Sequence, residues 1–186
     1  MYESLVDISS LKLKVIGRGT FSTVYRLDDE TVLIKTEDPA KECLYFANIE
    51  SNRFPKLELI GYEKKDHLRV YKTKYYERAP LKASLEPREY KLYTELRKLF
   101  KMAYSPFASD YDLYSIWYER FGLLPDEFAS ETEELRDALG SFADWGSDVA
   151  FEISPRNVAV DNGKLILLDC FFFRSAIKKK PLKFKI

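Results

Sequence analysis

The residue types that suit phosphate chemistry are spread along the chain in a telling order. A strand-like stretch leads into Gly17-Arg18-Gly19-Thr20-Phe21-Ser22-Thr23-Val24-Tyr25, a turn whose glycines let backbone N–H groups approach phosphate oxygens. No Gly-Lys-Ser/Thr ends this turn and a strand rather than a helix follows it, so it is not a Walker A loop. An ordinary hairpin turn satisfies the pattern equally well. Lys35 ends the apolar run Val32-Leu33-Ile34, and Glu42 falls on the helix expected next. The two could pair across a short loop and hold the ammonium toward a nucleotide phosphate. Taken singly, Lys35 reads as a solvated strand end and Glu42 as a surface carboxylate.

Far downstream, Ala150-Phe151-Glu152-Ile153-Ser154-Pro155-Arg156-Asn157 precedes a hairpin signal and then Asp169-Cys170-Phe171. A carboxylate five residues ahead of an asparagine, with an aspartate ending the hairpin's second strand, would place three oxygen-bearing groups around one point. Asn157 and Asp169 suit Mg²⁺, a hard cation that prefers oxygen. Glu152 would face the nucleophile as base or orienting group. The blander readings are a strand-end cap for Asp169, beside Phe171 to Phe173, and a turn residue for Asn157 after Pro155.

Positioning these groups requires two kinds of element. From about Leu11 to Tyr75 the chain reads as a small antiparallel sheet, from Leu11, Leu13 and Val15 alternating with lysines, the Thr31–Thr36 run, and the stretch of Leu68, Val70, Thr73 and Tyr75. Pro39 at a first turn, with Cys43, Leu44, Ala47 and Ile49 at helical spacing, predicts one intervening helix. After Pro80, Ser84 to Ala103 predicts a helix with an apolar stripe. Ser130-Glu131-Thr132-Glu133 predicts a capping box opening another, which carries Leu135, Leu139 and Phe142. Tyr104 to Leu124 is too irregular to assign. Val158-Ala159-Val160, Asp161-Asn162-Gly163-Lys164 and Leu165 to Leu168 predict a hairpin.

Composition narrows the function classes. The 186 residues are 46% hydrophobic, 15% aromatic and 32% charged, with 7 Gly and 8 Pro, which describes a folded protein rather than a collagenous or disordered one. Thirty basic residues balance thirty acidic ones, so the positive field expected of a nucleic-acid binder is missing. Cys43 and Cys170 show no CxxC spacing, and neither a signal peptide nor a membrane span is legible; a reducing cytoplasm and no membrane are expected. His67 is the single histidine and sits in a charged stretch, which removes histidine triads and two-histidine metal sites without it.

Together the motifs resemble the protein kinase-like fold. Gly17-x-Gly19-x-Phe21-Ser22-x-Val24 resembles the kinase Gly-rich loop with Ser for its third glycine, and Val32-Leu33-Ile34-Lys35 resembles the Val-Ala-Ile-Lys strand. Glu42 resembles the glutamate of the helix that follows that strand. Glu152 to Asn157 resembles the catalytic loop His-Arg-Asp-Leu-x-x-x-Asn, and Asp169 the metal-binding aspartate of Asp-Phe-Gly. The match runs from about Leu11 to Phe173, with no motif between Tyr76 and Gly146. Shortness and the stripped catalytic loop are most similar to protein kinases encoded early by lytic bacteriophages, which act on host proteins in the host cytoplasm. The resemblance implies an α+β, two-lobed fold: residues 1–80 forming the sheet-based N-terminal lobe and 81–186 a reduced, mainly helical C-terminal lobe. It implies ATP under Gly17, Gly19, Phe21, Ser22, Val24 and Leu33 with its phosphates on Lys35, and Mg²⁺ or Mn²⁺ on Asn157 and Asp169.

The departures from the family pattern shape the expectation. Glu152 stands in place of Asp, one methylene longer, and a displacement near 1 Å costs on the order of 100-fold where geometry is critical. Ala150 and Phe151 replace His and Arg, so loop phosphorylation is not expected as a switch. Ser154 replaces a phosphate-contacting lysine, Cys170-Phe171 replace Phe-Gly, and Leu33 crowds the adenine position that alanine leaves open. The chain stops 17 residues after Asp169, which leaves no usual peptide platform. The Tyr-rich region 104–124 or the basic tail 174–186 would have to hold a protein partner. Three functions follow: a minimal Ser/Thr protein kinase, a pseudokinase that binds or inhibits a partner without phosphotransfer, and a small-molecule kinase resembling aminoglycoside and choline kinases.

Overall fold

Six strands of the N-terminal half form one sheet around β4 (Thr31–Thr36), whose β-branched and aliphatic residues suit a strand covered on both faces. The computed structural model describes residues 4–47, 51–102, 112–143 and 148–178. With β1 (Leu5–Val6), β2 (Lys14–Arg18), β3 (Ser22–Arg26), β5 (Glu58–Glu63) and β6 (Arg69–Lys74), the order is β1-β5-β6-β4-β3-β2. Every pairing is antiparallel except that of β1 with β5. The expected sheet is therefore present with a parallel edge strand added.

The alternating run expected from Leu11 becomes a strand only at Lys14. The segment before it turns, with Lys12 at φ 49° and the Leu11 N–H donating to the Ile8 carbonyl at 3.1 Å. That turn lets Ile8 cover the sheet, where Leu33 and Val70 are buried beside it and Leu13, Tyr25 and Ile60 pack around them. We call this the outer face. Val24, Ile34 and Tyr71, one register step away, lie on the other, inner face, since partners across antiparallel strands share a face. Helix α1 (Pro39–Ala47) packs there, with the Tyr45 and Tyr71 rings 5.4 Å apart. Ile49, expected on this helix, lies outside the described residues.

Gly61 shows how the parallel edge is accommodated. It has φ +151°, at the β5 irregularity, and a side chain there would run into the backbone carbonyl oxygen of Ser4, which accepts from the Tyr62 N–H at 2.9 Å. Gly61→Ala is expected to cost about 1 to 3 kcal/mol through strain and loss of β1 pairing, read as a lower urea midpoint with the C-terminal half unchanged by hydrogen exchange.

The C-terminal half is helical around an aromatic core. It contains α2 (Leu81–Ser84), α3 (Pro87–Lys101), α4 (Leu113–Phe121), α5 (Ala129–Gly140) and α6 (Arg174–Lys178), with strand β7 (Val149–Phe151) paired to β10 (Phe171–Phe173) and a hairpin of β8 (Val158–Asp161) and β9 (Lys164–Leu167). The predicted hairpin is present, and Asn162 and Gly163 at φ 48° and 80° form the type I′ turn that Asn-Gly favours. Trp117, Phe121, Phe128, Phe142 and Phe151 are fully buried in one cluster with Phe171.

Two expected helix starts differ. The single helix from Ser84 becomes α2 and α3, because Pro87 disfavours helical geometry before it and Leu85 is extended at ψ 143°; Ala103 lies outside the described residues. The Ser130–Glu133 capping box does not form. Helix α5 continues instead from a 3₁₀ turn at Asp126–Phe128, so Ser130 is already inside it, and Glu131 is turned into an ion cluster. Part of the unassigned Tyr104–Leu124 stretch is α4, while 103–111 lie outside the described residues. A two-lobed α+β architecture results, a sheet-based N-terminal lobe over a helical C-terminal one, as the protein kinase-like resemblance implies.

Candidate active site

Backbone hydrogen bonds knit the segments around Glu152–Asn157 and Leu168–Cys170 together. The Glu152 N–H donates to the Cys170 carbonyl at 2.8 Å, and the Asn157 carbonyl accepts from the N–H groups of Leu168 at 2.9 Å and Asp169 at 3.3 Å. Glu152, Asn157 and Asp169, separated by up to 17 residues in sequence, therefore stand on adjoining strands of backbone. β7 and β10 supply the base: Phe151, which occupies the position of the family's arginine, is a core ring 5.2 Å from Phe121 and 5.2 Å from Phe171. The Ser154 hydroxyl, at the family's lysine position, is buried with no hydrogen-bond partner among the described residues.

The glycine turn joins β2 and β3. The Gly19 N–H donates to the Ser22 carbonyl at 2.8 Å, and the Phe21 carbonyl accepts from the Glu37 N–H at 3.1 Å, which ties the turn to the start of α1. Ser22 Oγ and Thr36 Oγ1 are 2.7 Å apart. A Cβ on Gly17 would stand at ordinary contact distance, 3.6 Å, from Val24, and one on Gly19 would meet only the Ser22 carbonyl oxygen at 3.9 Å. The fold itself thus leaves room for side chains at both positions.

The expected Lys35–Glu42 pair does not form. Lys35 pairs with Thr23 and Val70 and shares the outer face with Leu33, turned away from α1. Its ammonium donates to Asp66 Oδ2 at 2.7 Å, in the turn between β5 and β6. Leu33 is buried against Ile8 and Val70 on the outer face. Glu42 does face the sheet, but it accepts from Arg69 rather than Lys35. The physical reason is common to all three: residues two apart share a face, and the N-terminal segment covers the face that carries Leu33 and Lys35.

Lys41 reaches Asp169 instead. From the first turn of α1 its ammonium donates to Asp169 Oδ1 at 2.8 Å, across the two lobes; the Lys41 side chain is 9% exposed and that of Asp169 50%. Burial works against the Lys41 charge, but Asp169 and Asp38 outweigh it and hold its pKa above the ordinary value. Asp38 caps α1, accepting from the Ala40 N–H at 3.0 Å, while its own N–H donates to Thr36 Oγ1 at 3.0 Å. Sequence reasoning missed both residues. A signal was present: Asp38-Pro39 is a helix-start pattern, and a lysine in a first turn opposes the helix dipole, so a buried one requires a carboxylate partner.

Burial raises the Asp38 carboxyl from 3.8 to about 6, against the pull of Lys41 and with Asp169 adding to the rise. The folded state then holds this proton more tightly than the unfolded one, so Asp38 costs stability above about pH 6, and the cost fades as pH falls through 6 toward 3.8. At about 1.4 kcal/mol per pH unit, the full cost is roughly 3 kcal/mol. Asp38→Asn, which keeps an oxygen to cap the helix, is therefore expected to raise the urea midpoint at pH 8 and to leave it unchanged below pH 4.

A groove of about 730 Å³ lies over residues 29–31, 56–58 and 72–75 and includes none of the residues above. No helix of the described residues is long and apolar enough to cross a membrane. Cys43 and Cys170 are both free and buried. No model of a known protein family matches the chain. No curated protein matches it. Among solved structures, the streptomycin-ATP-APH(2")-IIa ternary complex is similar at 16% identity and a TM-score of 0.37, over 88% of this chain and 68% of that one.

Proposed function

We propose that the chain is an ATP- and Mg²⁺-dependent phosphotransferase that phosphorylates serine or threonine hydroxyls of proteins. One observation carries this reading: Glu152, Asn157 and Asp169 adjoin through backbone hydrogen bonds. Phosphoryl transfer needs little covalent chemistry from a protein and depends on positioning and charge.

The donor set fits a hard divalent cation. Among the described residues only Oδ1 of Asp169 is engaged and the Asn157 side chain makes no hydrogen bond, which leaves a carboxylate oxygen and an amide oxygen on adjoining backbone. When bound there, Mg²⁺ would supply positive charge against the transferring phosphate. Glu152, partly exposed beside this pair, orients the acceptor hydroxyl and takes its proton. The glycine turn covers the phosphates, with Ser22 and Val24 on the inner face. Asp169 is half exposed, and Pro155 and Arg156 are exposed, so the acceptor comes to an open surface, which suits a hydroxyl carried on a protein.

The test is transfer of labelled γ-phosphate from ATP with Mg²⁺ or Mn²⁺, offered the protein itself and a bacterial lysate, whose proteins are the acceptors that the phage-kinase resemblance implies. Label on protein is the expected result. Label confined to small hydroxyl compounds would move the acceptor class, and no transfer under either metal would sink the reading. The Lys41–Asp169 bond favours a second reading, a kinase-shaped binding module, because an ammonium on that carboxylate competes with a metal. A binder would capture its partner equally well after Asp169→Ala.

A further inference from the structure

We propose that Lys41, from helix α1, is the lysine that receives the nucleotide phosphates, in the role that the resemblance gives to the strand residue Lys35. This rests on the nucleotide-binding reading of the same site. A strand lysine can serve phosphates only if its pleat phase turns it toward the cleft, and Lys35 is turned to the outer face and held by Asp66 at 2.7 Å. Lys41 meets each requirement that Lys35 fails. Its ammonium joins the two halves of the chain, 2.8 Å from Asp169, and the Glu37 N–H just ahead of its helix donates to the carbonyl of Phe21 in the glycine turn.

The charge balance favours an anionic ligand brought in with a cation. Asp38 and Asp169 both act on Lys41, so the ammonium is over-neutralised in the absence of ligand, and Asp169 keeps a second oxygen free of it. An ammonium has three donors, and only the one to Asp169 is used among the described residues. A metal on Asp169 would weaken that bond and leave Lys41 to donate to a phosphate oxygen from a site where water competes poorly. Lys41 thereby bridges carboxylate and phosphate, and its short reach from α1 makes the pairing of the lobes part of nucleotide binding.

ATP and adenosine affinities, measured by calorimetry with Mg²⁺ on wild type, Lys41→Met, Lys41→Arg and Lys35→Met, test this apart from activity. Loss of a charge-assisted hydrogen bond to phosphate is expected to weaken ATP binding by at least about 10-fold in Lys41→Met. Adenosine binding should be unchanged there, ATP binding partly restored in Lys41→Arg, and Lys35→Met within about twofold of wild type, less than the loss of any such bond would cause. Should Lys41→Met not fold, the double variant Lys41→Met/Asp38→Asn removes the stranded carboxylate and takes its place. ATP affinity unchanged without Lys41, or lost without Lys35, overturns the assignment while leaving the nucleotide site standing. A wild type that binds no ATP overturns both the site and the assignment.

Discussion

Arg53→Ala should lower the free energy of unfolding by about 3 to 5 kcal/mol, the cost of breaking a buried ion pair from one side. The Arg53 side chain is 11% exposed and those of Glu89 and Glu131 are 6% each. Its guanidinium donates to both oxygens of Glu89, at 2.7 and 3.0 Å, and to Glu131 at 2.8 Å. Glu89 also accepts from the Leu165 N–H at 3.0 Å, and the Arg53 carbonyl accepts from the Leu167 N–H at 2.7 Å. The segment between α1 and β5 is thus locked to α3, α5 and β9, and Phe54 beside it enters the aromatic core. Without Arg53, Glu131 keeps Arg88, but Glu89 is left buried with the Leu165 N–H and a half-exposed Arg88 guanidinium no nearer than 3.9 Å. Lysine should rescue little, because a single ammonium cannot span two carboxylates as the planar fork does.

The pH dependence follows with a definite sign. Burial pushes Glu89 up, but the Arg53 bond and the Leu165 N–H outweigh it and hold it below the usual 4.5; the Arg88 bond does the same for Glu131 against its burial. Their stabilisation is complete above pH 4.5 and is lost as pH falls through the depressed folded values. Urea unfolding of wild type and Arg53→Ala should therefore differ most at pH 7 and converge in acid. A constant difference down to pH 3 would mean that Arg53 acts by packing alone.

Asp169→Ala should reduce phosphate transfer on the order of 1,000-fold or more, since a bound metal is worth several kcal/mol at a transferring phosphoryl group. The fold is expected to survive. Asp169 is half exposed, and Lys41 keeps the charge of Asp38 beside it, so no buried ammonium is left without a counter-ion. Thermal unfolding near the wild-type midpoint combined with lost transfer would place Asp169 in the chemistry rather than in the scaffold. Transfer within about tenfold of wild type would remove it, since even a single general base contributes 10²- to 10⁴-fold.

The sequence-level signals that held are those written in short stretches of backbone. The Asn-Gly turn, the β4 run, the helix start at Pro39 and the α5 helix carrying Leu135 and Leu139 all depend on local dihedral preference or on periodicity within one element. The capping box failed because α5 runs on from the 3₁₀ turn at Asp126–Phe128, which leaves Ser130 inside the helix rather than at its start. The Arg53 cluster itself had no local signature, because an arginine ahead of β5 and glutamates on α3 and α5 look like solvated surface until they are brought together.

By itself, the sequence determined the order of the chemistry-bearing residues, two sheet-and-helix halves, and the hairpin that sets Asn157 beside Asp169, because turn chemistry and hydrophobic period act over a few residues. Tertiary structure decided which lysine meets Asp169. Val32 and Leu33 are 5% and 4% exposed, so β4 is apolar on both faces and its pattern contains no phase; covering of the Leu33 face by Ile8 turned Lys35 outward, and packing of α1 on the other face carried Lys41 to Asp169.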